Sequence, residues 1–221
     1  MFSVIFEVHP HADRKDEYLA LGKQLKPILE SIDGFIDNER FESCLRPGWV
    51  LSHSSWRDEK SLVRWRAQGE HHAVQRKGRD EVFEDYHLRI GEVIHDSASP
   101  ATSSGHQRLD ETETGIAKVA SFTEITPQDG IDLVARPDEL LAQIGLTGLP
   151  GMIEHDLFAS IYNPGKLALL ASWRDAGAAG AFVPKPVAGM AALRHRTVRI
   201  IRDYGRFDRR EAPQYFPPVS R

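Results

Sequence analysis

The stretch Trp65–Arg79 carries the densest set of chemically capable side chains: Trp65, Arg66, His71, His72, Gln75, Arg76 and Arg79. Stepping ~100° per residue along one continuous helix puts Leu62, Trp65, Gly69, His72, Ala73 and Arg76 on one face, with His71 pointing away. An indole, an imidazole and a guanidinium on one arc, with Gly69 leaving space, suit an anionic or phenolic ligand held between helix and sheet. The same residues also fit an ordinary packed helix, with Trp65 in the core and His72 and Arg76 at the surface. A break at Gly69 would change the phase.

Other candidates lie on strand-like segments. Glu7 sits among apolar residues in FSVIFEV, as a pocket carboxylate or half of an ion pair. His53 shares a strand phase with Trp49, Leu51 and Ser55, and Trp56 lies in the other phase. An imidazole among apolar strand residues is more often a hydrogen-bonded interior group than a base. Metal chemistry has little support, because neither His9/His11 nor His71/His72 has the i, i+4 spacing that brings two imidazoles to one ion. No GxGxxG, Walker, GxSxG or CxxC motif is present.

These residues are positioned by a repeat. Gly34–Asp58 lies over Gly151–Asp175 without a gap at an offset of 117, with ten identities in 25 positions, among them the SWRD runs Ser55–Asp58 and Ser172–Asp175. The offset also matches Phe6–Pro10 to Thr123–Pro127, with Glu7 on Glu124, and makes Asn38 equivalent to His155, both able to face a cavity or solvent. Glu92–Asp96 matches Arg199–Asp203 only at 107, so the second copy is about ten residues shorter between SWRD and its last strand. The polar Ser97–Gly115 stretch reads as a linker, which divides the chain into 1–96, 97–114 and 115–221.

Each copy resolves into the same elements. Phe2–Val8 is β-prone, and Leu21, Leu25, Ile28, Leu29 and Ile32 form a helical stripe interrupted by Pro27, where a kink or break is expected. Phe35–Leu45 and Trp49–Trp56 flank the Arg46-Pro47-Gly48 turn as a hairpin. Asp58 caps a second helix over roughly 59–77, and Val82–His95 is the last strand. The order is βαββαβ, a ferredoxin-like unit. In Leu167–Ala171 apolar residues occupy both phases, so both sheet faces are buried. The expected fold is α+β, two ferredoxin-like repeats forming a fused dimeric α/β barrel whose outer strands remain able to pair as a homodimer.

Composition agrees with a folded chain of 221 residues, 41% hydrophobic, with net charge −4 and a single cysteine, Cys44. Mixed charge argues against nucleic-acid binding. No apolar window spans a membrane, and the N-terminus lacks signal-peptide features. One thiol fits a reducing cytoplasm.

Pro47–Asp96 resembles the antibiotic-biosynthesis-monooxygenase proteins of the dimeric α/β-barrel superfamily, through its PG hairpin, WRD, WR, EH, Q, GR and VFEDY-LR features. The resemblance implies cofactor-independent, O2-dependent oxidation of a small aromatic or phenolic molecule. It marks Trp65, His72, Arg76 and Tyr86 as catalytic candidates, with Glu7, Asn38, His53 and Trp56 lining the substrate site and no metal. The alternatives are a ligand-binding or stress-related barrel without catalysis and, behind it, a haem-binding or haem-degrading protein. The superfamily's haem-degrading branch carries a helix Trp followed ten residues later by the ligating His; here that position is Gln75. In the second copy, Gly177–Met190 is rich in small residues and holds two prolines, so one site per chain is expected, in the first copy. The aromatic, proline-containing tail Tyr204–Arg221 is expected to wrap over the other copy or another chain, or to fray.

Overall fold

A computed structural model describes residues 1–99 and 110–219. The first half runs β1 (Phe2–Pro10), α1 (Lys15–Ser31), β2 (Phe35–Ser43), β3 (Val50–Trp56), α2 (Glu59–Arg66), α3 (Gly69–Lys77), a π-helical turn (Gly78–Val82) and β4 (Phe83–Asp96). The second runs β5 (Val119–Pro127), α4 (Pro137–Ile144), β6 (Met152–Ser160), β7 (Leu167–Trp173), α5 (Ala176–Ala181) and β8 (Met190–Gly205). The α+β class is as expected.

All strand pairs are antiparallel, and their registers repeat. Phe2 lies opposite Trp56 and Val119 opposite Trp173. Phe2 also faces Glu92, and Val119 faces Arg199, reproducing the 107-residue offset of the last strand. Irregularities recur at equivalent places, His9/Pro10 with Thr126/Pro127 and Phe35/Asp37 with Met152/Glu154.

The strand order β1-β3-β2-β6-β7-β5-β8-β4 closes on itself. No edge of these eight strands is left for pairing with a second copy, contrary to the expectation of available outer strands. Strand alternation then sorts the side chains. Ile5, Phe41 and Leu51 meet Phe122, Phe158, Leu170 and Ile200 inside the ring. Phe2, Val8 and Trp56 face the helices of the first half, while Val119, Leu169 and Trp173 face those of the second.

Inside the ring the halves are cross-braced. Arg89 on β4 pairs with Glu7 of its own half and donates to Ser172 Oγ of the other. Arg196 on β8 pairs with Glu124 and donates to Ser55 Oγ at 2.9 Å. The serines of the two SWRD runs are therefore the points at which each half receives the other's guanidinium.

Helix ends follow local chemistry. Asp58 and Asp175 cap α2 and α5 by accepting from Ser61 N and Ala178 N. Each helix start packs on a glycine: Gly34 and Gly151 have φ of +87° and +82°, and a Cβ there would lie 2.0 Å from Ser61 Oγ or 2.6 Å from Ala178 Cβ. Helix α1 continues through Pro27, which lies near its end on the exposed face, so the helix is not broken there. The helix expected over 59–77 breaks after Arg66, where Gln68 turns to an extended backbone (ψ 130°) and caps α3 through Glu70 N. Of the expected linker, 100–109 lie outside the described residues. Its C-terminal end is anchored, since Thr112 is buried and donates to Glu211.

Candidate functional site

A cavity of about 190 Å³ lies between the first-half sheet and its helices. It is smaller than the ~300–1,000 Å³ typical of drug-sized pockets, so it suits a small ligand. Because β1–β4 alternate, every second residue forms the floor: Val4 and Phe6, Asn38 and Arg40, Ser52 and Ser54, Tyr86, Leu88 and Ile90. Helix α1 supplies Tyr18, Leu21, Gly22, Leu25 and Leu29. The broken second helix supplies Leu62, Trp65, Arg66, His71, Val74 and Gln75, and the π turn supplies Arg79. Phe83 on β4, Tyr204 on β8 of the second half, and Arg209, Gln214 and Phe216 of the tail after it complete the lining.

Of the residues singled out in the sequence, Trp65, Tyr86 and Asn38 meet at this cavity. His72 and Arg76 are not among its lining residues. Restarting the helix at Gly69 rotates the phase, so His71, Val74, Gln75 and Arg79 face inward, whereas Arg76 is exposed. His72 instead stacks on Phe216, ring centroids 5.6 Å apart. Glu7 takes the ion-pair reading, buried inside the ring against Arg89 and Arg46. His53 lies inside the ring too, hydrogen-bonded to Ser3 Oγ at 2.8 Å and stacked on Phe122 at 4.0 Å. Burial, then the charges of Arg196, Arg194 and Lys166, hold its pKa well below the usual value. Trp56 is core, packed edge-on against Phe35 with its indole N–H donating to Ser54 Oγ. His155, the counterpart of Asn38, is exposed.

The lining is mostly apolar, with Arg40, Arg66, Arg79 and Arg209 and no carboxylate among the described residues. Tyr86 Oη accepts from both Arg79, at 3.1 Å, and Arg209. Asn38 donates to Ser52 Oγ and to the His53 carbonyl at 2.9 Å, which leaves its Oδ1 toward Arg40. His71 stacks on Trp65 at 3.9 Å, and its Nδ1 lies 3.0 Å from the Trp65 carbonyl. A carbonyl only accepts, so Nδ1 carries the proton and Nε2 keeps its lone pair. Burial lowers the His71 pKa to about 4, against the carbonyl bond that raises it. Three lining atoms, Tyr18 Oη, Arg40 Nε and Gln75 Oε1, are sealed from solvent without a hydrogen-bond partner.

The second half is filled where the first is hollow. Its short α5 leads into Phe182, which stacks on Trp173 at 5.6 Å, both buried. No residue of α4 or α5 lines the cavity. The tail wraps over the first half: Gln214 donates to the Arg66 carbonyl, Arg79 to that of Pro217, and Arg206 to those of Arg79 and Phe83. Tyr18, Arg40 and Arg209 carry no signal in the sequence that separates them from ordinary helix, strand and tail residues. Among the described residues no group of three or more His, Cys, Asp or Glu is placed to hold a metal. No helix among them is long and apolar enough to cross a membrane.

The first half is also where sequence comparison finds a match. The profile of antibiotic biosynthesis monooxygenases matches residues 1–77. The chain is 41% identical over 227 residues to the jasmonate monooxygenase ABM of Pyricularia oryzae, with all of each chain covered. Among solved structures, an aldoxime dehydratase in complex with butyraldoxime aligns with a TM-score of 0.58 and 12% identity, covering 92% of this chain and 81% of that one. A second aldoxime dehydratase aligns with a TM-score of 0.54 and 11% identity, covering 90% and 80%. These two likenesses show the shared fold alone. The full-length identity, together with the profile match over the half that holds the cavity, shows that the chain belongs to the antibiotic biosynthesis monooxygenase family.

Proposed function

We propose that the chain is a monooxygenase that uses O2 to oxidise a small, largely apolar molecule bearing one acidic oxygen, in the cavity of the first half. The observation that carries this reading is an apolar cavity with four guanidiniums and no carboxylate among its described lining residues. The phenol suggested by the sequence resemblance and the jasmonate in the relative's name share that chemistry, a hydrocarbon frame with one acidic group.

The reaction is cofactor-independent. An acidic C–H or O–H loses its proton, and the anion passes an electron to O2. Recombination gives a peroxide, and loss of water leaves C=O where CH2 stood. One oxygen atom enters the product and the other leaves as water, all electrons coming from the substrate. His71 Nε2 accepts the proton. With a pKa of about 4 it is a weak base, so the larger contribution comes from charge stabilisation of the anion. Each charge-assisted hydrogen bond is worth ~1.5–3 kcal/mol, or about one to two pKa units of substrate acidification.

The repeated register and the offsets of 117 and 107 support two βαββαβ units fused into one barrel, with the second unit retained as structural partner.

The test is oxygen uptake by the purified protein with jasmonate and with hydroxylated polycyclic phenols, under 18O2. One labelled atom per product molecule is expected. Tight binding with neither uptake nor label would leave a non-catalytic binding protein instead.

A further inference from the structure

We propose that Arg40, with the Tyr18 hydroxyl beside it, anchors the acidic group of the cavity's ligand, so that the site takes a small apolar acid in preference to its neutral ester. This rests on the reading of the cavity as the substrate site. It goes further by assigning which of the guanidiniums meets the acid and which end of the cavity the acid occupies.

The cavity has two polar ends. Tyr86 stands on β4 and Arg40 on β2, the outer strands of the order β4-β1-β3-β2. Three strand spacings of ~4.8 Å separate them by about 14 Å. At the Tyr86 end the guanidiniums are already engaged. Arg79 donates to Tyr86, to the Arg206 carbonyl and to the Pro217 carbonyl, and Arg209 donates to Tyr86 and the Gln214 carbonyl. These bonds hold the tail in place.

At the other end the guanidinium meets only neutral groups, with no carboxylate among the described lining residues. Arg40 reaches Asn38 Oδ1 from Nη1 at 3.4 Å and lies beside the Tyr18 and Tyr162 hydroxyls, while its Nε is sealed from solvent with no acceptor. Its guanidinium lies 5.8 Å from the Tyr18 ring, and the buried Tyr18 Oη has that guanidinium as its polar neighbour, without a close hydrogen bond. Burial pushes the Tyr18 phenol up, the Arg40 charge pulling the other way, so the hydroxyl keeps its proton and remains a donor. The nearest acid in sequence, Glu39, faces the opposite side of the strand and pairs with Lys166. A guanidinium drawn out of water without a counter-ion is costly unless a ligand brings one. A guanidinium without a carboxylate, next to a buried phenol, describes a seat for an oxyanion.

Helix α1 is cut to make that seat. A Cβ on Gly22 would lie 2.6 Å from Arg40 Nη2, so the absence of a side chain lets the guanidinium lie against the helix. The colliding atom is the far end of a flexible side chain, so Gly22→Ala folds but displaces the guanidinium.

Calorimetric titration with jasmonate and its methyl ester, and with octanoate and methyl octanoate, tests the proposal. The wild type is expected to bind each acid tighter than its ester. Arg40→Gln should weaken acid binding roughly 10- to 100-fold, the range of a lost charge-assisted bond, and leave ester binding within a few-fold. Gly22→Ala should weaken the acids in the same sense without a lower melting temperature. Arg40→Lys should restore part of the preference. Undiminished acid preference in a folded Arg40→Gln protein that still consumes O2 overturns the role of Arg40 and leaves the monooxygenase reading intact. Failure of the wild type to bind any of the four overturns both.

Discussion

His71 is held neutral by its surroundings, and its Nδ1–H bond to the Trp65 carbonyl fixes which nitrogen can act. His71→Gln is expected to lower kcat by about 10²–10⁴-fold, the usual range for a general base, with KM changed far less; steady-state oxygen uptake measures both. On the acid side, kcat should fall only as pH drops towards about 4, where Nε2 takes a proton. Stability carries the same signature. His71 and His195 have folded pKa values of about 4, and His53 is also lowered, against an unfolded value near 6.5. In that range the unfolded chain binds more protons, so all three destabilise the fold as pH falls below ~6.5, His71 and His195 each by on the order of 1–3 kcal/mol by the time pH reaches ~4. His87 acts in the opposite sense: Asp203 outweighs burial and raises its pKa, so its contribution is lost as pH rises through that value. Urea midpoints measured from pH 7 to pH 4.5 should fall, and should fall less in His71→Gln. Trp65 and Asn38 could be singled out from a helix face and from the repeat, and Tyr86 only through the family resemblance; all three line the cavity. His71 was not, because the sequence phase assumes an unbroken helix and Gln68 breaks it.

That break is itself an element-scale device. The cap bond of Gln68 to Glu70 N starts α3 at a new rotation, and the π turn after it delivers Arg79 to the cavity. Gln68→Ala should cost about 1 kcal/mol of stability and reduce turnover more than stability, because the face carrying His71 loses its fixed phase; melting and kcat measured on one sample separate the two. The tail is the second device. Removal of residues 207–221 takes away Arg209, Gln214 and Phe216, and should leave Trp65 open to iodide quenching and weaken ligand binding. An unchanged quenching constant would show that the tail does not close the cavity. The tail's aromatics and prolines suggested wrapping, but its partner was not readable, since the contacts are mostly side chain to backbone carbonyl and a carbonyl has no sequence identity.

At the scale of the molecule, the constant offset in the sequence becomes a matching register in both halves, because strand pairing is set by local pattern and turns. The SWRD run was conspicuous, yet the partner of its serine lies 141 positions away in the first copy and 83 in the second. Ser55 and Ser172 receive Arg196 and Arg89 across the ring. Arg89→Met should cost ~3–5 kcal/mol, because it leaves the buried Glu7 carboxylate short of a partner. Glu7→Gln combined with Arg89→Met should cost less than the two changes summed, a coupling that a double-mutant cycle in urea reads directly.

The roofing of the first-half cavity by Tyr204–Phe216 has a consequence in time. Val4 and Phe6 leave the ribosome at the outset, whereas the residues that cover them emerge only after the whole second half. The cavity is therefore roofed only when β8 has docked on β4 and the tail has followed, and the oxidation proposed for it is expected only from a chain whose synthesis is finished.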